Sequence, residues 1–122
     1  MHYKKIFCVF GLVSLLTLNS YAQSKVEYMN ELSQARKNFI LERDKLHDQD
    51  RMLRLNWHKE REALYEKLKE NPSDQSIKDK LNEGAKKFLA DKKEIYRKLE
   101  ELRKNWLRQR KELGNKIRTA KS

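Results

Sequence analysis

The chain has 122 residues, of which 39% are charged; 29 Lys and Arg stand against 18 Asp and Glu, a formal net charge of +11. One proline, three glycines and a single cysteine exclude a collagen-like or disulfide-stapled protein and favour long helices. A chain this charged has too few apolar residues to cover the several faces of a globule, so an elongated helical protein is expected.

The N-terminus reads as an export signal. Lys4 and Lys5 form a basic start, residues 6–18 carry no charge, and Ser20-Tyr21-Ala22 is a small-x-small cleavage site. Thirteen helical residues reach about 20 Å, short of the ~30 Å hydrocarbon core. Residues 1–22 are therefore expected to be a signal peptide cleaved before Gln23, with the mature protein periplasmic or secreted and without a transmembrane segment; an uncleaved anchor is the alternative. Cys8 leaves with the signal, so no disulfide can order residues 23–122. Helix propensity, an apolar seam or association with another chain must do so.

The remainder repeats itself. Residues 32–68 overlay residues 81–117 at a constant offset of 49, with ten of 37 positions identical. The shared apolar positions are Leu32, Phe39, Leu46, Leu53, Trp57, Leu64 and Leu68 in the first copy and Leu81, Phe88, Ile95, Leu102, Trp106, Leu113 and Ile117 in the second. Steps of seven predict a coiled-coil seam, and the step of four before each Trp reads as a stutter that locally unwinds it. The intervening seam positions are expected at Glu42, Gln49 and Asn56, and at Asp91, Lys98 and Asn105, all polar.

Between the copies, Glu70-Asn71-Pro72-Ser73-Asp74 reads as a stop and a restart, because Pro72 breaks the first helix and suits the start of the next. Asn71 is expected to cap, with Asp74 completing a capping-box-like pair. The predicted fold is all-α: an antiparallel two-helix coiled-coil hairpin built from a tandem duplication. Its helices cover about 25–70 and 74–118, its turn 71–73, and its oligomeric state is open. One kinked helix through the mature chain, stable only by self-association, is the competing fold. A hairpin centred on the turn places residue i opposite about 147 minus i. Trp57 then faces residues 88–90, Trp106 faces 39–41, and Ala63 lies beside Gly84 and Ala85. Acid-to-base pairs at i, i+4 (Asp50/Arg54, Glu83/Lys87, Glu94/Lys98, Glu100/Lys104 and Glu112/Lys116) support helicity at about 0.2–0.5 kcal/mol each.

Positive charge is concentrated late. Residues 24–70 carry 11 basic and 10 acidic side chains, residues 71–122 carry 16 and 8. Arg103, Lys104, Arg108, Arg110, Lys111, Lys116 and Arg118 form the candidate surface for anions or acidic clients, whose attraction would fall with salt. Nucleic acid fits poorly, since no reading motif is present and the aromatics lie on the seam rather than among the basic residues.

Asp44, His47, Asp48 and Arg51 share a helix face, but the second copy replaces His47 and His58 by Tyr96 and Leu107. No metal-ligand spacing, glycine-rich phosphate loop or nucleophile elbow occurs. The expectation is a non-enzymatic protein without cofactor or metal. In size, charge and export signal the chain is similar to small periplasmic helical chaperones, while lacking the Leu-Thr-x-x-Gln motif of one such group. That resemblance implies a chaperone-like binding protein of the cell envelope acting on unfolded or acidic clients. A structural coiled-coil oligomer, or a basic protein on anionic membrane or cell-wall polymer, are the alternatives.

Overall fold

The computed structural model describes residues 24–120, so the expected signal peptide, its expected cleavage site and Cys8 lie outside the described residues. Two helices account for nearly all of the rest: α1, Lys25–Glu70, and α2, Gln75–Thr119. They pack against each other as a helical hairpin, and the described residues contain no strand.

Local chemistry sets each helix end. Ser24 accepts the Glu27 backbone N–H on its hydroxyl at 3.4 Å, and Glu27 adds a negative charge to the first turn of α1, where the helix dipole favours it. Lys67 and Lys69 occupy the opposite end. In the turn, Asp74, not Asn71, is the cap of α2: its Oδ1 accepts the N–H groups of Ser76 at 2.9 Å and Ile77 at 3.3 Å. Asn71 instead closes the turn, its carbonyl accepting the Asp74 N–H at 3.1 Å and its side chain the Ser73 hydroxyl. Pro72 lies within the turn, ahead of the first helical position. The correction is physical: a cap must sit directly before the helix for its side chain to reach the second and third amides.

The described residues fall into two compact units, each holding a stretch of both helices. In the unit of residues 36–107, Trp57 stacks on Phe88 and Phe39 on Trp106, each pair totalling 145 in residue number. The helices therefore run antiparallel, two residues from the expected register. Each Trp meets the Phe at the near edge of the stretch expected to face it. Gly84 takes Trp57 as its neighbour, whereas Ala63 is exposed; the indole occupies the room expected to be shared by small side chains. In the unit of residues 24–35 and 108–120, Leu113 is buried. There Lys116 Nζ lies 5.7 Å from the Tyr28 ring centre, a cation–π contact.

Burial follows one stripe per helix. Leu32, Phe39, Leu46, Leu53 and Trp57 are half-buried and Leu64 is buried on α1; Leu81, Phe88, Leu102 and Trp106 are half-buried and Ile95 and Leu113 buried on α2. The intervening positions differ from expectation. Glu42, Gln49, Asn56, Asp91, Lys98 and Asn105 are all exposed, and the residues one place later, Arg43, Asp50, Lys92 and Leu99, turn inward. From Phe39 the stripe steps by four and three through residues 43, 46, 50, 53 and 57, and from Phe88 through 92, 95, 99, 102 and 106. This keeps side chains on one side of a 3.6-residue helix. The step of four into each Trp thus belongs to the regular alternation. The same alternation next reaches Glu60 in α1 and Gln109 in α2, both exposed, before returning to the buried Leu64 and Leu113.

The core is thin. Among the described residues, only Leu64, Ile77, Ile95 and Leu113 are buried apolar residues, and no large side chain is fully enclosed. Of the five expected i, i+4 ion pairs, Asp50–Arg54 forms, at 3.3 Å. Glu94 and Glu100 turn instead to Arg97 and Arg103, three residues on. A guanidinium offers two parallel N–H groups to one carboxylate, which an ammonium cannot.

Candidate functional site

The hairpin holds two Trp–Phe stacks. Trp57 and Phe88 have ring centres 6.2 Å apart and planes 23° from parallel; Phe39 and Trp106 are 5.5 Å apart and 14° from parallel. A shift of 49 residues turns Trp57 into Trp106 and Phe39 into Phe88, so it exchanges the two pairs. Each Phe also carries a cation four residues on: Arg43 lies 5.7 Å from the Phe39 ring centre and Lys92 5.6 Å from that of Phe88. Such stacks add about 0.5–1.5 kcal/mol beyond burial, and partly exposed cation–π contacts about 0.5–1 kcal/mol.

Beside the first stack is a groove of about 470 Å³, lined by Arg51, Arg54, Leu55, Trp57, His58, Arg61 and Phe88. Arg61, on its lining, is exposed. Arg51 binds Asp48 at 2.6 Å and Arg54 binds Asp50 at 3.3 Å. Arg61 donates to His58 Nδ1 at 3.5 Å. His58 Nε2 lies 3.5 Å from Glu62. The groove thus joins an aromatic floor to three guanidiniums, two of them already matched by carboxylates.

The second stack is surrounded differently. By the offset of 49, Glu100 stands for Arg51, Arg103 for Arg54 and Leu107 for His58. Arg103 spends both arms on Glu100, at 3.2 and 2.8 Å. That bond, reinforced by the nearby positive charges of Arg103 and Lys104, holds the Glu100 carboxyl below its ordinary value and pushes Arg103 up. Arg97 does the same to Glu94, bonded at 2.7 and 3.0 Å, and adds Glu101 at 2.9 Å.

The basic residues singled out from sequence, Arg103, Lys104, Arg108, Arg110, Lys111, Lys116 and Arg118, are all exposed. Arg103 is committed to Glu100, Lys116 lies over Tyr28, and Arg118 bonds Asn115. Sequence reasoning passed over Arg54, Arg61 and His58. The signal available was the recurrence of Arg54 and Arg61 as Arg103 and Arg110, flanking each Trp at minus three and plus four. Asp50, replaced by Leu99 in the second copy, is 7% exposed with its Oδ1 lacking a hydrogen-bond partner.

Asp44 pairs with Arg43 and Asp48 with Arg51, and the described residues hold no group of three or more His, Cys, Asp or Glu able to bind a metal ion. Among the same residues, no helix is long and apolar enough to cross a membrane. No family model, curated protein or solved structure matches this chain.

Proposed function

We propose that the chain is an exported, non-enzymatic binding protein of the cell envelope, acting in a chaperone-like way on unfolded or acidic polypeptides. The observation that carries this reading is the incomplete burial of its apolar side chains. Val26, Met29, Leu41, Met52, Leu55, Tyr65, Leu89, Tyr96 and Leu107 are all exposed, Leu89 to 63%. They are spaced among charges, as suits brief capture of many sequences rather than one permanent partner. The leader at residues 1–22 supports the location. A tandem duplication forming a coiled-coil hairpin is part of this reading, supported by the exchange of the two Trp–Phe stacks under a shift of 49. Light scattering of an unfolded outer-membrane-type protein, aggregating with and without an equimolar amount of the chain, tests it. Suppression is expected, and inertness toward several unrelated clients refutes it.

A structural oligomer is the second reading, favoured by the buried Asp50 Oδ1 and the thin core, both of which a second chain could complete. It requires a melting temperature that rises with protein concentration. A constant value over a hundredfold dilution excludes it.

A further inference from the structure

We infer that the groove beside the Trp57–Phe88 stack is a recognition site for a polypeptide segment in which an aromatic side chain neighbours a single carboxylate. This rests on the client-binding reading and names the feature of a client that the hairpin selects.

Charge sets the first requirement. Arg51 and Arg54 are matched by Asp48 and Asp50, so they contribute directed N–H groups and little net charge. Among the described residues, Arg61 has His58 as its polar partner and no carboxylate within ion-pair reach. The surplus is therefore about one guanidinium, enough for one carboxylate bound through two parallel N–H···O bonds. A doubly charged phosphate would also have to draw on Lys92, which lies over the Phe88 ring but is not part of the lining. Shape sets the second requirement. Two stacked rings form the floor, and about 470 Å³ falls in the range of sites that hold small ligands or one or two side chains. A flat ring laid on Trp57 or Phe88 would extend the existing stack.

The other stack supplies an internal comparison. It has the same two rings and a cation above its Phe, Arg43 in place of Lys92, but Glu100 replaces Arg51 and occupies Arg103 through two bonds. A carboxylate of the chain thus lies beside the second stack on Arg103, the counterpart of Arg54, where the groove has Arg51 instead.

The test uses the full chain carrying Trp106→Phe, which leaves Trp57 as its single tryptophan, since the sequence has two. Trp57 emission is followed during titration with a blocked peptide containing Asp-Phe, its Asn-Phe and Asp-Ala counterparts, and separately with vesicles of phosphatidylglycerol. Asp-Phe should give a saturable change. Loss of either the charge or the ring should weaken binding about tenfold, as should Arg61→Gln. The combined change of Arg108, Arg110 and Lys111 to Gln, on residues outside the groove, should leave the affinity within about twofold. Equal binding of Asp-Phe and Asn-Phe overturns the assignment, as does equal weakening by both sets of variants, which would mean a response to overall charge. A Trp57 response to vesicles but not to peptide at millimolar concentration overturns it in favour of a lipid surface. Aggregation suppression by wild type that persists in Arg61→Gln without peptide binding removes the groove assignment and leaves the chaperone-like reading intact. Peptide binding without suppression does the reverse.

Discussion

Gly84 and Gly114 lie in the same helix, and the structure predicts that the same substitution at each has opposite effects. A Cβ on Gly84 would lie 2.7 Å from Trp57 Cη2, with Cζ3 nearer still and Cε3 at 3.4 Å; on Gly114 it would meet nothing within 4 Å. Carbon atoms sit comfortably at about 3.5–4.0 Å, so Gly84→Ala must push the rigid indole back by roughly 1 Å. Forced repacking costs about 1–3 kcal/mol, and disturbing the Trp57–Phe88 stack removes up to about 1 kcal/mol more. Against this, replacing a helical Gly by Ala contributes about 1 kcal/mol. The expected net result is a loss of about 1–2 kcal/mol for Gly84→Ala and a gain of about 0.5–1 kcal/mol for Gly114→Ala. Urea unfolding followed by far-UV circular dichroism measures both, with protein concentration fixed because association would shift the midpoint. Trp57 emission should also move in the first variant and not in the second. If Gly84→Ala is stabilising to the same extent as Gly114→Ala, the indole does not rest on the α2 backbone and the register drawn from the aromatic pairs is wrong.

Three further outcomes are expected. Asp50→Leu, which installs the residue found at Leu99, should stabilise by about 1–2 kcal/mol by removing a buried carboxylate oxygen without a partner; a lower melting temperature would mean that a second chain satisfies that oxygen. Asp74→Ala should cost about 1 kcal/mol through loss of the α2 cap, while Asn71→Ala should cost less, and the reverse order in a urea titration would return the cap to Asn71. Glu94 and Glu100 are held below their ordinary value of 4.5 by hydrogen bonds from Arg97 and Arg103. A carboxylate depressed on folding stabilises above its unfolded value and loses that contribution as pH falls through the folded one. Stability should therefore decline on acidification below about pH 4.5, and less steeply in Arg97→Gln/Arg103→Gln; an unchanged slope would show that these exposed bonds have no part in it.

Apolar periodicity and the turn residues made the two helices and their reversal legible in the sequence. The strongest signals were Leu, Phe and Trp at recurring spacings and a single Pro in a polar gap, because helix and turn depend on neighbours along the chain. The finer placements depend on neighbours across it. Glu42 and Arg43 are equally polar in composition, yet Arg43 turns inward because its guanidinium can lie over the Phe39 ring. Glu94 has basic residues at both plus three and plus four, and guanidinium geometry decides for Arg97 over Lys98. The groove was hidden for a related reason: Arg54 and Arg61 read as solvated helix surface until Trp57 settles over Gly84 and leaves space beside Phe88. The late basic cluster stood out by count alone, which says nothing about how many of those cations already have partners.

The four-residue reversal has a topological consequence. The surfaces that join α1 to α2 within one molecule are equally complementary between two molecules, and in residues 36–107 both Trp–Phe stacks could form across chains with no new contact required. Only the geometry of Asn71 to Asp74 selects the closed form over such an exchange. Straightening that segment, by Pro72→Ala together with Asp74→Ala, should shift the protein toward swapped dimers, whereas a few flexible residues inserted there should hold it as a monomer. The amount of intertwined species would then be set by four residues that touch neither the aromatic stacks nor the groove.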